Sequence, residues 1–407
     1  MFIFSIKSRL VISLLALCAF VSQNTQAQTG NRIFLADALE NAFQHNLSLQ
    51  ASQLGIEQSK ALAGSWFDLP KTGVFIENED FSPEDKDGIW KIGLSQSIEA
   101  PGVYRAKREL LQQQLHLTEK QVAIIQAELK RDVSAAYYRL WYVEEKQQLY
   151  QALDSLYTGL ANAAALRVRT GESAGLEKIA ADVRLAEVRM QRRQLDNDIA
   201  IEQQALMREL NTMEAYLPER KPLEKITLVP TAVFAANHPL LLQQQQQISV
   251  AESDISLQQK TRLPDFSGRV FSQRLYGIEQ PVSGFSFSVG IPIAGKSFKK
   301  RIEAARVENS LQQKLLQLET IRLQTAVVQA RQTLARSGEA LRFYETIGLR
   351  QANDIIEAAT LGFRAGDISF ADLSQFLTQA ISIRQNYLDA LNEYNQAVIE
   401  YNYFINQ

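Results

Sequence analysis

Leu361-Gly362-Phe363-Arg364-Ala365-Gly366-Asp367-Ile368-Ser369-Phe370-Ala371-Asp372-Leu373 has a weaker copy near the middle of the chain, Leu166-Arg167-Val168-Arg169-Thr170-Gly171-Glu172-Ser173-Ala174-Gly175-Leu176. Each copy sets an Arg, a small residue or Thr, a Gly and then an acid between two long helix-like segments. That order reads as a tight turn joining two antiparallel helices. The chain is therefore a duplicated hairpin.

Outward from these turns the repetition continues. Ala42-Phe43-Gln44-His45-Asn46-Leu47-Ser48-Leu49-Gln50 answers Ala235-Ala236-Asn237-His238-Pro239-Leu240-Leu241-Leu242-Gln243, and each opens a helix. Leu69-Pro70 answers Leu263-Pro264, where the proline ends a helix and starts an extended stretch. Gly102 answers Gly295, and Gly171 answers Gly366. Four anchors in the same order are the mark of an internal duplication. The expected division is 28–212 for the first repeat, 213–235 for a connector carrying Pro218, Pro222 and Pro230, and 236–407 for the second repeat.

Residues 1–27 read as an export signal: basic Lys7 and Arg9, an apolar core Leu10 to Val21, and small residues at Thr25 and Ala27. Cys18 is the one cysteine, and Leu17 before it does not suit lipidation. With the signal removed, no thiol is left for a disulfide, a metal or a nucleophile. The formal net charge of the 407 residues is −2, which does not favour a nucleic acid partner. No later stretch reaches the twenty or so apolar residues of a membrane helix. Any entry into a membrane would have to be made by strands.

Each half reads as helix, two strands, long helix, turn, helix. Trp90, Ile92, Leu94, Gln96 and Ile98 fall on one face of a strand, and Lys91, Gly93, Ser95 and Ser97 on the other. Phe285, Phe287, Val289, Ile291 and Ile293 alternate with Ser286, Ser288 and Gly290 in the second half. Their partners are expected at Thr72 to about Asp80 and Phe266 to Tyr276, across turns at 82–88 and 277–284. Alternation alone suits a small soluble sheet as well as a membrane barrel. The export signal and the small polar inner face favour the barrel. Four strands cannot close one, because single-chain barrels start at about eight, so it must be shared between subunits.

The stretches from about Val103 to Arg169 and from about Lys296 to Phe363 contain no proline, which allows helices about 100 Å long. Apolar residues recur at three-and-four spacing: Leu111, Leu115, Val122, Ile125 and Leu129 in the first, and Leu311, Leu315, Leu318, Ile321 and Val328 in the second. A length balance pairs the return helix Ser173–Asn211 with the helix Ala236–Arg262. It likewise pairs the C-terminal helix Ser369–Tyr403 with the first helix Leu35–Phe67. Each pair, stacked end to end, would match one long rod. The fold class is thus mixed α and β: a long helical coiled-coil barrel joined to a transmembrane β-barrel, four strands per chain.

Taken in order, these elements and the pattern Ser95-Gln96-Ser97-Ile98-Glu99-x-x-Gly102-x-x-Arg105-Ala106-Lys107-Arg108 resemble the outer-membrane efflux channels of TolC type, in particular their cobalt-zinc-cadmium resistance branch. The resemblance implies a homotrimer in the outer membrane, with a shared barrel and a periplasmic helical tunnel. It implies no enzyme activity and no cofactor. Its partners would be a periplasmic adaptor and an inner-membrane proton-driven pump of the resistance-nodulation-division type. By resemblance the cargo is divalent heavy-metal cations, with drugs or secreted proteins as the alternative; a structural envelope coiled coil is the alternative of another class.

Carried over by position, Arg169, Gly171, Leu176, Arg364, Gly366 and Asp367 would form the adaptor-docking turns. Phe370, Asp372 and Gln375 would lie nearest a gate, and Trp90, Ile92, Leu94, Phe285, Phe287, Val289 and Ile291 would face lipid. A plainer reading has Asp367 capping the helix that follows it. His45 and His238 sit near helix starts, where local hydrogen bonding is the simpler role, and His116 would face water. No phosphate loop, nucleophile motif or metal-ligand cluster is present in the sequence.

Overall fold

The computed structural model describes residues 31–79, 88–172, 175–228, 237–274, 279–293 and 295–406. The export signal and the turn at 82–87 fall outside these residues. In chain order the elements are β1 (Asn31–Ile33), α1 (Leu35–His45), α2 (Leu47–Gly64), β2 (Gly73–Glu79), β3 (Ile89–Ile98), α3 (Pro101–Arg169) and α4 (Gly175–Leu210). After β4 (Tyr216–Pro218) come α5 (Pro239–Lys260), β5 (Asp265–Gln273), β6 (Val282–Gly290), α6 (Gly295–Phe343), a π turn (Tyr344–Gly348), α7 (Leu349–Ala365) and α8 (Phe370–Phe404).

The first rod is α3, 69 residues with Pro101 in its first turn, where the missing N–H costs nothing. The second is α6, the π turn and α7 in sequence. Where one unbroken helix is expected over the second rod, the π turn admits one extra residue and turns α7 relative to α6. A second departure is at Asn46. The first helix is two helices, because the Asn46 side chain leaves the helical ladder to accept from Leu49 N–H at 3.1 Å and start α2.

The short helices stack differently from the length balance. Asn46 Nδ2 donates to the Glu209 carbonyl at 3.0 Å and Leu47 N–H donates to Asn211 Oδ1 at 2.8 Å, so α2 continues from the end of α4. His238 Nε2 meets the Tyr403 carbonyl at 3.1 Å, so α5 continues from the end of α8. Each repeat joins its own two short helices. Total length cannot tell the two pairings apart, and the hydrogen bonds at the joints decide.

Strands β2, β3, β5 and β6 form one antiparallel sheet in that order, and β3 pairs with β5 across the two repeats. Strand β6 begins at Val282, within the expected turn, and stops at Gly290, so Ile291 and Ile293 lie beyond it. Near the middle of the rods the strand β1 lies parallel to β4, a pairing with no alternation to announce it. The largest buried cluster is at this level: Val133, Tyr137, Leu140 and Trp141 of α3 pack with Leu206, Leu341, Leu391 and Val398.

That level is also closed by polar contacts. Tyr137 hydroxyl donates to the Ile33 carbonyl at 3.0 Å and Trp141 Nε1 donates to the Lys221 carbonyl at 2.9 Å. Desolvation pushes the Tyr137 phenol up to about 12. Asn395, fully buried, accepts from Ile226 N–H and donates to the Glu224 carbonyl, both at 2.9 Å. Residues 221–226 are thereby bound to the middle of the rods.

Candidate functional site: the hairpin tips and the outer face of the sheet

Both tip turns leave the preceding helix through a glycine in the same conformation. Gly171 has φ +75° and Gly366 φ +82°, the left-handed region that glycine enters without strain. Glu172 N–H donates to the Arg167 carbonyl at 2.9 Å and Asp367 N–H donates to the Gly362 carbonyl at 2.9 Å, the bond that closes a helix of this kind. The duplication thus extends to the hydrogen bonds of the turn.

Their side chains differ. At the first tip the organising cation is Arg167, which sequence reasoning passed over for Arg169. Arg167 Nη1 donates to Glu177 Oε2 at 3.1 Å, binding α3 to α4, and its guanidinium lies 5.7 Å from the Phe363 ring of α7. Arg169 and Leu176 are exposed, as are Arg364, Gly366 and Asp367 at the second tip. Among the described residues none of Arg169, Arg364 and Asp367 is in an ion pair within the chain. No local pattern singles out Arg167, since its partners lie on two other helices.

Helix α8 is not capped by Asp367. Ser369 is the N-cap: its Oγ accepts from Asp372 N–H at 3.2 Å, and Asp372 Oδ2 accepts in return from Ser369 N–H at 3.1 Å. The Ser-x-x-Asp spacing is the signature of this reciprocal cap and could have been read from sequence. The hydrogen bonds from the Ser369 hydroxyl, first, and backbone hold the Asp372 carboxyl below its usual range. Asp372 therefore has a local role that a latch would have to break.

The three candidate gate residues do not share an environment. Phe370 is 5 % exposed and packs edge-on against Phe363 in a cluster with Ala161, Ala164 and Ala181. It belongs to the core that holds the two hairpins together, because an aromatic ring at the first turn of α8 fills the space left by three alanines. Gln375 is exposed and, with Leu176, Glu177, Arg184 and Gln379, lines a groove of about 960 Å³ between α4 and α8.

At the opposite end of the rods the sheet presents an apolar face. Trp90, Ile92 and Leu94 of β3, with Val74 and Ile76 of β2, Val270 of β5 and Phe285, Phe287 and Val289 of β6, are between 45 and 84 % exposed. The register places them in rows, such as Ile76 opposite Ile92 and Val270 opposite Phe285. Ile291 is 68 % exposed just past the strand. Strand β2 pairs only with β3, and β6 only with β5, so both sheet edges lack a partner among the described residues.

His45 Nδ1 meets the Asn41 carbonyl at 3.1 Å, His116 lies 3.0 Å from Glu119 on an exposed face, and His238 is a buried helix cap. No group of three potential metal ligands occurs among the described residues. No described helix is long and apolar enough to cross a membrane.

Two long rods with a tight turn at one end and an open-edged four-stranded sheet with one apolar face at the other make the fold that of solved outer-membrane channels. Residues 233–400 match the sequence model of the outer membrane efflux protein family. No curated protein matches the sequence significantly. Among solved structures the chain is similar to CusC, with 14 % identity, TM-score 0.76 and coverage of 95 % of each chain. It is similar to VceC of Vibrio cholerae, with 13 % identity, TM-score 0.73 and coverage of 91 % of this chain and 95 % of that one. The open-state MtrE channel of Neisseria gonorrhoeae gives 15 % identity, TM-score 0.74 and coverage of 91 and 88 %.

Proposed function

We propose that this chain is one subunit of a homotrimeric outer-membrane efflux channel, a passive exit duct with a periplasmic helical tunnel. The observation that carries the proposal is the open sheet. Its outer face is apolar, and its two free edges at β2 and β6 would pair from subunit to subunit into a closed barrel, the one sheet form stable in lipid. Trp90, Ile92, Leu94, Phe285, Phe287 and Val289 would then face lipid.

The rods support the same assembly. Val307, Leu311, Leu318, Ile321 and Val328 form a stripe along α6 that no helix of the same chain covers, each 42 to 65 % exposed. Leu54 and Leu62 on α2 are likewise bare. Ring closure would set α6 of one subunit against α2 of the next, and α4, with Leu176, Ile179 and Val183, against α7, with Leu361. The repeats 28–212 and 236–407 with their connector 213–235 would each supply half of one subunit's wall.

The exposed turns around Gly171 and Gly366 are the surfaces we assign to a periplasmic adaptor, which would link the duct to a proton-driven inner-membrane pump. Divalent heavy-metal cations are the cargo we favour, on the resemblance of Ser95 to Arg108 to the cobalt-zinc-cadmium branch. Growth of a deletion strain against zinc, cobalt, cadmium and copper, beside dyes, detergents and antibiotics, tests both levels. Sensitivity to metals alone supports the full proposal. Sensitivity to dyes and antibiotics keeps the duct and removes the metal assignment, and normal growth with no channel activity in lipid bilayers removes the duct.

A further inference from the structure

The face of the sheet opposite the apolar one carries an ordered pattern of its own. Across the four strands the register pairs Phe75 with Gly93, Gly93 with Phe271, and Phe271 with Gly284, so one row reads Phe, Gly, Phe, Gly. The Phe75 ring lies over Gly93 and the Phe271 ring over Gly284. A Cβ on Gly93 would collide with the Val270 carbonyl oxygen and come within 2.7 Å of the Phe75 ring, and one on Gly284 within 2.7 Å of the Phe271 ring. Only glycine admits this tiling, which shields the bare backbone of β3 and β6.

Each ring is covered in turn by a cation. The Arg269 guanidinium is centred 3.7 Å from the Phe75 ring, and Lys91 Nζ lies 5.5 Å from the Phe271 ring. Each cation is paired with an acid of β2: Arg269 with Glu77, and Lys91 with Glu79 at 2.5 Å. Arg269 reaches Glu77 across the whole of β3, a span open because β3 carries only Gly93 and Ser95 between them. The result is two like units per chain, each an aromatic ring, a cation and a carboxylate.

We infer that this row is a charge-balanced girdle that keeps the duct from discriminating between cations and anions, resting on the reading above of the sheet as a share of a trimeric barrel. With β6 of one subunit beside β2 of the next, each subunit would contribute one such row to the lumen, stepped along the axis by the stagger that closes a barrel. The girdle balances charge, since every cation facing the lumen at this level has a carboxylate beside it. A balanced ring passes ions of either sign, whereas an unbalanced one would carry one uncompensated charge per subunit in a confined space where fields are focused.

The test is the reversal potential of single channels in planar lipid bilayers under a potassium chloride gradient. Glu77→Gln frees Arg269 and is expected to shift the permeability ratio several-fold toward chloride. Arg269→Gln frees Glu77 and is expected to shift it several-fold toward potassium. The double variant E77Q/R269Q is expected to return to the wild-type ratio, and the second unit, through Glu79→Gln and Lys91→Gln, to repeat the pattern. Heat-resistant trimers on electrophoresis verify that each variant assembles. Assembled channels whose ratio stays put, or moves the same way in both single variants, overturn the girdle and leave the duct standing. A wild-type protein that forms no channel overturns the duct itself.

Discussion

His238 and Tyr403 make the joint between the two short helices of the second repeat: the imidazole Nε2 donates to the Tyr403 carbonyl at 3.1 Å while Nδ1 accepts from Leu240 N–H at 3.3 Å. Both bonds require the neutral ring with its proton on Nε2. Asn46 makes the corresponding joint in the first repeat with an uncharged amide. Burial pushes the His238 pKa below its ordinary value. Between the folded and unfolded values the unfolded chain binds more protons, so stability rises with pH there. It is fully present above about 6.5 and is lost as the pH falls through the folded value. His238→Asn, borrowing the solution used at Asn46, is expected to keep the cap and flatten the fall of the thermal midpoint between neutral and mildly acid pH. An unchanged pH dependence would place the titrating group elsewhere.

Gly366 has open space around the position a Cβ would occupy, so a substitution there is penalised through the backbone alone. Gly366→Val, forced to φ +82°, is expected to cost about 1–2 kcal/mol at the turn and to impair export while heat-resistant trimers still form. Gly366→Asn is expected to be far milder, since Asn tolerates this region. Normal export by the Val variant in an intact trimer would remove the tip from the docking surface.

The cap of α8 predicts acid fraying at the tip. The Asp372 pKa is depressed, so its contribution is present above the ordinary carboxylate value of 3.8 and is lost as pH falls through the lower folded value. Amide hydrogen exchange over 370–373 is expected to accelerate in that acid window, and Ser369→Ala to bring the same fraying to neutral pH at about 1 kcal/mol. Exchange rates insensitive to both changes would show that packing of Phe370, not the cap, holds the helix start.

The π turn sets the rotation of α7. Deleting Thr346 would restore an α-helical ladder and rotate α7 by about 100°. Ala352 and Ala359, now 0 and 5 % exposed against neighbouring helices, would turn out of contact. Loss of export with a marked drop in the heat resistance of the trimer is the expected outcome. The Lys225 to Glu345 contact at 3.3 Å sits on the same turn, and Lys225→Ala is expected to have a much smaller effect because that pair is partly exposed.

The bare stripe of α6 predicts the oligomer. Leu318→Glu with Ile321→Glu places two carboxylates where ring closure would bury them. Size-exclusion chromatography with light scattering in detergent is expected to find monomer in place of trimer. A trimer that survives both changes would put the subunit contact on another face.

Periodicity and punctuation in the sequence were enough to locate the rods, the strands, the turns at Gly171 and Gly366 and the duplication, because each depends on the local repeat of apolar residues or on the φ a single glycine allows. That Trp90, Ile92 and Leu94 share one face of the sheet was legible for the same reason, since strand parity assigns a face before any partner is known. Only the tertiary structure decided that α2 stacks on α4 and α5 on α8, that Arg167 and not Arg169 binds the first tip, that Phe370 is core, and that Phe75 and Phe271 lie over Gly93 and Gly284. Those features depend on which residues of different elements meet, through hydrogen bonds, ring contacts and register, and a local pattern carries no record of its partner.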